Sequence, residues 1–199
     1  MSKIEVEKKF ILNREDKDRL LKGADFISEK VFTDIYYDDE AFSLTSKDFW
    51  FRNRDGKFEL KTPMKSENKI FANQYREIED EDEIRKILKI HGTNNLDKDL
   101  LQHFSSFCVC KTTRLKYRKN GFVIDLDLVD YGDFNYDIAE IELMVDNEEE
   151  ISGALQKIAE FANEHKLKIG NVKGKVVEYM IKKRPKHYKA LVDKGVIID

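Results

Sequence analysis

Short alternations of apolar and charged residues run through most of this chain, and they predict strands. In Lys3 to Asn13, the positions Glu5, Glu7 and Lys9 stand two apart and share one face, while Ile4, Val6 and Phe10 fall on or near the other. The same period marks Val31 to Tyr37, Phe49 to Asn53, Lys57 to Lys61, Asn73 to Ile78, Phe107 to Arg118, Gly121 to Val129 and Asp137 to Val145. Asp55-Gly56 between two of these runs is a strong hairpin signal. Helical spacing is confined to fewer places. Asn13-Arg14-Glu15-Asp16 opens a short helix, Asp16 to Lys22, that stops at Gly23, and helical material fills Glu79 to Phe104 except around Gly92-Thr93-Asn94-Asn95. Ser152 is the expected cap of an amphipathic helix to His165, and a last helix, Val176 to Lys183, ends before Pro185. About eight antiparallel strands with helices in the middle and at the end predict a barrel-like α+β domain. With no low-complexity segment and no long linker, one domain over residues 1–199 is expected.

The strand faces carry unusual chemistry. Arg52 and Arg54 flank an alternation with Phe51; Glu59 and Lys61 alternate with Leu60; Tyr75 and Glu77 precede Ile78. Arg114, Lys116 and Arg118 share one face, as do Asp125 with Asp127 and Glu140 with Glu142. A solvated sheet face would mix Ser, Thr, Asn and Gln with its charges. Here the helices need the Ile, Leu and Phe faces to pack on, so closure of the sheet would turn the charged faces inward. Lining such a lumen with ion pairs alone is costly in desolvation. Arg and Lys rows clamp phosphate oxygens, and Asp and Glu pairs hold Mg²⁺ or Mn²⁺ through oxygen. Together they describe a metal–polyphosphate site.

Composition narrows the setting. The net charge of −3 with 38 % charged residues is balanced, which argues against a nucleic-acid or anionic-membrane coat. Cys108 and Cys110 form a C-x-C on a strand, too few ligands for a zinc cage, and are expected as buried thiols. No apolar leader or membrane-length run is seen, so a cytoplasmic location is expected. His91, His103, His165 and His187 lack metal-ligand spacing and are expected at the surface or at caps. No phosphate-cradling glycine loop and no serine nucleophile elbow occurs. The run Lys182-Lys183-Arg184-Pro185-Lys186 reads as a solvated helix end.

The E-x-E-x-K triad of Glu5, Glu7 and Lys9 resembles the signature of the CYTH superfamily, the triphosphate tunnel metalloenzymes. The segments DIYYDD, WFRNR, FELK, YREIED, KTTR, VIDLD and EIEL, with a late Lys before VVEY, extend the resemblance over nearly the whole chain. Within the superfamily the chain is most similar to the thiamine triphosphatase branch. The resemblance implies a closed eight-stranded antiparallel tunnel that binds a triphosphate beside one or two divalent cations, Mg²⁺ with Mn²⁺ as the alternative. It implies that Lys9, Arg52, Arg54, Lys61 and Arg114 grip phosphates, with Lys175 added from the C-terminal segment. It implies that Glu5, Glu7, Asp125, Asp127, Glu140 and Glu142 hold metal or its waters, and that Glu77 orders the cations.

Two more positions follow from the resemblance. Tyr36 with Lys61 matches the family's catalytic dyad, and Trp50 stands where a tryptophan would stack on a thiazolium ring. The implied reaction is hydrolysis of thiamine triphosphate to the diphosphate and phosphate. Inorganic tripolyphosphate hydrolysis and non-catalytic polyphosphate binding are the alternatives, and an adenylyl cyclase ranks last for want of a base pocket. The expected partner is a small triphosphate, with neither nucleic acid nor membrane, in a monomer or dimer. Two segments depart from the resemblance: LVDYGDFNYDIA, between Asp127 and Glu140, is longer, and TPMKSENKIFANQ, after Lys61, is divergent.

Overall fold

A computed structural model of the chain describes residues 4–63, 75–91 and 96–198. Its strands are β1 (Ile4–Phe10), β2 (Asp25–Asp38), β3 (Trp50–Arg54), β4 (Lys57–Pro63), β5 (Tyr75–Ile78), β6 (Ser105–Lys119), β7 (Phe122–Asp130) and β8 (Asn135–Val145). Its helices are α1 (Arg14–Leu21), α2 (Glu81–Leu88), α3 (Leu96–Leu100), α4 (Ile151–Glu164), α5 (Lys175–Lys183) and α6 (Pro185–Asp193). The strands form one eight-stranded sheet in the order β1-β8-β7-β6-β2-β3-β4-β5. The expected α+β class, with eight antiparallel strands and helices on the apolar faces, is what forms. The start of the strand expected from Asn73, most of the divergent stretch after Lys61, and Gly92 to Asn95 lie outside the described residues. Among the described residues, no helix is long and apolar enough to cross a membrane.

The described chain divides into two compact units. One comprises 4–31 and 112–175; the other comprises 32–63, 75–91, 96–111 and 176–198. In the first, α4 lies on the apolar faces of β1 and β8. Its Ala154, Ile158, Phe161 and Ala162 meet Val6 and Phe10 of β1, Phe122 and Ile124 of β7, and Ala139 and Ile141 of β8. Each fully buried Ile or Phe there contributes about 1.5–3 kcal/mol. In the second unit, Phe51, Phe58, Leu60 and Ile78 of β3, β4 and β5 pack with Ile84, Leu96 and Leu100 of α2 and α3. Both cores use the apolar half of the alternation, which leaves the charged half to the opposite face.

Local chemistry explains the boundaries. Asn13 and Asp16 cap α1 reciprocally: the Asp16 amide donates to Asn13 Oδ1 (2.9 Å) and the Asn13 amide to Asp16 Oδ2 (3.2 Å). Asp55 and Gly56 both take positive φ, 49° and 90°, as a two-residue type I′ turn requires. The expectations fail in three places. Ser152 lies inside α4 and is not its cap; a short 3₁₀ turn at Glu148–Glu150 leads into the helix instead. The helix expected to end before Pro185 does end there, as α5, but it is not the last: Pro185 starts α6 at its first position, where a missing N–H costs nothing. His187 is 2 % exposed rather than at the surface, because that unforeseen helix carries it into the core. The two cysteines are free and buried, as expected.

Candidate functional site

Register decides which charges meet. In the first unit Asp125 pairs with Glu140 across β7–β8, and Glu140 pairs with Lys9 across β8–β1. One step along, Glu142 lies opposite Val123 on one side and Glu7 on the other. Three carboxylates in each of two overlapping groups have ligand atoms within 4.8 Å of one another: Glu5, Glu7 and Glu142; and Asp125, Glu140 and Glu142. Asp125 is fully buried (0 % exposed), and neither of its oxygens has a partner in hydrogen-bonding geometry. Burial and then the crowding of Glu5 and Asp125 push the Glu142 carboxyl up to about 9. Burial first, with Asp127 nearby, also raises Asp125, although Arg114 and Lys116 oppose the shift.

Cations face this acidic face from β6 and β1. Arg114 grips Asp127 with two hydrogen bonds, from Nε (2.6 Å) and Nη2 (2.7 Å), and reaches Glu140 (3.0 Å) and Asp125 (2.5 Å). Lys116 lies 3.0 Å from Asp125 and 3.7 Å from Glu142. Lys9 pairs with Glu7 and lies 3.6 Å from Glu140. Burial alone would lower Lys9, but these two carboxylates outweigh it and hold the ammonium above its ordinary value. Two buried carboxylates, Asp125 and Glu142, crowded by Glu5, Glu7 and Glu140, make an all-oxygen donor set of the kind a hard divalent cation takes. The residues therefore fit the metal the resemblance implies. Asp127 spends both oxygens on Arg114.

The second unit has its own charged face. Tyr36, Arg52 and Glu59 stand side by side across β2, β3 and β4, and Trp50, Lys61 and Glu77 do so across β3, β4 and β5. Arg52, 5 % exposed, donates from Nε to Glu59 at 2.7 Å and a second time from Nη2, and from Nη1 to the Tyr36 hydroxyl at 3.4 Å. Arg54 forks onto Asp34 at 2.7 and 3.1 Å. Lys61 meets Glu77 at 2.5 Å, and Glu77 also lies 3.7 Å from Arg52. Burial would raise Glu77, yet Lys61 and Arg52 bring it below the usual carboxylate range. Burial pushes the Tyr36 phenol well up despite Arg52, so it is protonated at neutral pH. Trp50, 8 % exposed, donates its indole N–H to Asp48 at 2.8 Å, and the Tyr75 hydroxyl donates to the same carboxylate oxygen at 2.8 Å.

The expected residues thus gather on two faces. Glu5, Glu7, Lys9, Arg114, Asp125, Asp127, Glu140, Glu142 and Lys175 belong to the first unit; Tyr36, Trp50, Arg52, Arg54, Lys61 and Glu77 belong to the second. Tyr36 contacts Arg52 and Lys61 contacts Glu77, with β3 lying between their strands. Sequence reasoning placed Glu59 and Lys116 on charged strand faces without giving them a role in the site, and did not single out Asp34. The signal was present: Asp34 is two before Tyr36, Glu59 two before Lys61, and Lys116 two after Arg114.

Comparison with known proteins agrees with this picture. The family model described as the CYTH domain matches residues 3–172. The chain is 29 % identical over 210 aligned residues to a thiamine-triphosphatase of Macaca fascicularis, covering 96 % of this chain and 90 % of that protein. Among solved structures, a Pyrococcus horikoshii OT3 protein superposes with a TM-score of 0.58 at 22 % identity, covering 90 % of this chain and 99 % of its own. An adenylyl cyclase candidate from Hippeastrum, described as having a dominant triphosphatase activity, gives 0.56 at 17 % identity, covering 88 % and 94 %. At these identities the two structures establish likeness of fold.

Proposed function

Because the chain belongs to the CYTH domain family, we propose that it is a metal-dependent triphosphatase that removes the terminal phosphate of thiamine triphosphate. The observation that carries the reading is the pairing of chemistries on its strand faces. Carboxylates crowded within ligand distance of one another stand beside Lys9, Arg114 and Lys116, and a second face presents Arg52, Arg54 and Lys61. The likeness to a thiamine-triphosphatase over nearly the whole chain supports the substrate class.

Under this reading Lys9, Arg52, Arg54, Lys61, Arg114 and Lys175 bind the phosphate oxygens. Phosphoryl transfer asks mainly for positioning and charge neutralisation, which fixed guanidinium and ammonium groups supply. Glu5, Glu7, Asp125, Glu140 and Glu142 would hold Mg²⁺ or Mn²⁺, with Asp127 and Glu77 holding neighbouring cations in place. The bound metal would neutralise charge on the phosphate chain. Water attacks the terminal phosphorus, the bond to the bridging oxygen breaks, and thiamine diphosphate leaves. Lys61, steadied by Glu77, orients the attacking water, and Tyr36 supports it through Arg52. Trp50 offers its ring to the cationic thiazolium, and Asp48 beside it adds negative charge.

One observation favours a second reading, inorganic tripolyphosphate as substrate. Trp50 is nearly buried and its N–H is already engaged by Asp48, as suits a packing role. Phosphate release with Mg²⁺ from thiamine triphosphate, tripolyphosphate and ATP, offered separately, tests both. Preference for thiamine triphosphate that collapses in Trp50→Ala supports the first reading. Preference for tripolyphosphate, unmoved by that substitution, supports the second, and no release from any of them overturns both.

A further inference from the structure

The β7–β8 connection is a compact turn with Tyr131 at its start and Tyr136 just beyond it in β8. The Tyr131 amide donates to the Phe134 carbonyl at 3.0 Å, and the two rings stack with centroids 4.4 Å apart. Gly132 takes φ 92°, a conformation that glycine adopts without steric cost, and its amide donates to Asp130 Oδ1 at 2.7 Å. The turn is therefore built rather than loose. Both tyrosine hydroxyls are spent on one target, the junction where the stretch without helix or strand enters α5. Tyr131 donates to the Lys175 carbonyl at 2.7 Å, and Tyr136 donates to the Lys173 carbonyl at 2.8 Å.

What this grip holds in place is two cations. Between the two tethered carbonyls lies Gly174, where an added Cβ would stand 3.5 Å from Lys9 Cε, so the stretch runs along the Lys9 stem. The Lys175 ammonium donates to Thr112 Oγ1 at 3.3 Å. Thr112 is fully buried and sits two residues before Arg114, on the same face of β6. An ammonium on a four-carbon stem loses much rotamer freedom when it is held, and fixing its backbone beforehand removes part of the cost of binding.

We propose that Tyr131 and Tyr136 are positioning residues for the substrate: they strap residues 173–175 down so that Lys175 and Lys9 are set together for the phosphate chain. This rests on the reading that Lys9 and Lys175 bind phosphate. The tyrosines touch no substrate and act through the strap, so their loss affects binding more than the chemical step.

The experiment compares wild type, Tyr131→Phe with Tyr136→Phe, Lys175→Ala, and the triple combination. For each, KM and kcat are measured with Mg²⁺ on thiamine triphosphate and on inorganic tripolyphosphate, with amide exchange followed over residues 168–175. Phenylalanine keeps the rings and deletes only the hydrogen bonds. Two lost hydrogen bonds should raise KM about tenfold with kcat nearly unchanged, and amide exchange over 173–175 should quicken. Lys175→Ala should raise KM similarly, and the triple variant should do little worse than Lys175→Ala, because both changes remove one contribution. An unmoved KM or unchanged exchange in the double variant overturns the proposal while leaving the triphosphatase reading intact. Full additivity in the triple variant also overturns it, since the tyrosines would then act apart from Lys175. A wild type that turns over neither substrate overturns the parent reading and this proposal with it.

Discussion

Replacing Arg52 by methionine separates what the charged face of the second unit does for stability from what it does for substrate. Arg52 is almost fully buried, and its guanidinium makes two contacts to Glu59, itself buried. Removing the cation strands the Glu59 carboxylate without water or a full partner, and breaking such a pair costs about 3–5 kcal/mol. Removing both charges together, as Arg52→Met with Glu59→Gln, should restore most of that loss, because an apolar or neutral pair needs no charge desolvated. Catalysis should not return with stability. If Arg52 holds a phosphate oxygen, the double variant should still turn over tripolyphosphate roughly 10²-fold more slowly, the scale of deleting one fixed donor at developing charge. Arg52→Lys should fall between, since an ammonium cannot fork onto two oxygens. Urea unfolding gives the stability and Mg²⁺-dependent phosphate release gives the rate. A cost below about 1 kcal/mol in Arg52→Met would refute the buried-pair argument. Wild-type turnover in the stabilised double variant would remove Arg52 from the phosphate-binding set.

Three further outcomes are expected. Burial holds His187 below the ordinary histidine value despite Asp38, while Arg184 adds to the lowering; its neighbours Thr45, Phe42 and Phe107 are neutral. The unfolded chain therefore takes up that proton first as pH falls. Stability from this group is full above about 6.5 and declines below it, by at most about 1.4 kcal/mol per pH unit, and His187→Gln should flatten melting curves recorded between pH 5 and 7. Asp125→Asn should weaken Mn²⁺ binding, followed by electron paramagnetic resonance of metal-stripped protein, by roughly tenfold or more; unchanged affinity would place the metal elsewhere. Ile158→Ala, which empties a fully buried position between α4 and the sheet, should cost about 2–5 kcal/mol in urea unfolding.

Much of this protein was legible in its sequence because a strand repeats every two residues. Alternation alone sorts Val6, Ile124 and Ile141 from Glu7, Asp125 and Glu142, and it locates every strand of the sheet to within a few residues of most ends. It also pairs residues on one strand, such as Arg52 with Arg54. It cannot say which residue on the next strand stands opposite, since a shift in register changes every cross-strand neighbour without changing composition. Register put Glu59 beside Arg52, Asp34 beside Arg54, and Glu140 between Asp125 and Lys9. Burial was equally invisible. His187 looks like a surface histidine until α6 carries it against Phe42 and Thr45, and Pro185 looks like a stop until it is seen at a helix start. Hydrogen bonds from Tyr131 and Tyr136 to carbonyls some forty residues away depend on backbone that has no side-chain signature at all. Local periodicity is a property of the chain, and so it can be read from the chain. The electrostatics of a site depend on distances between segments remote in sequence, and only the folded molecule sets those.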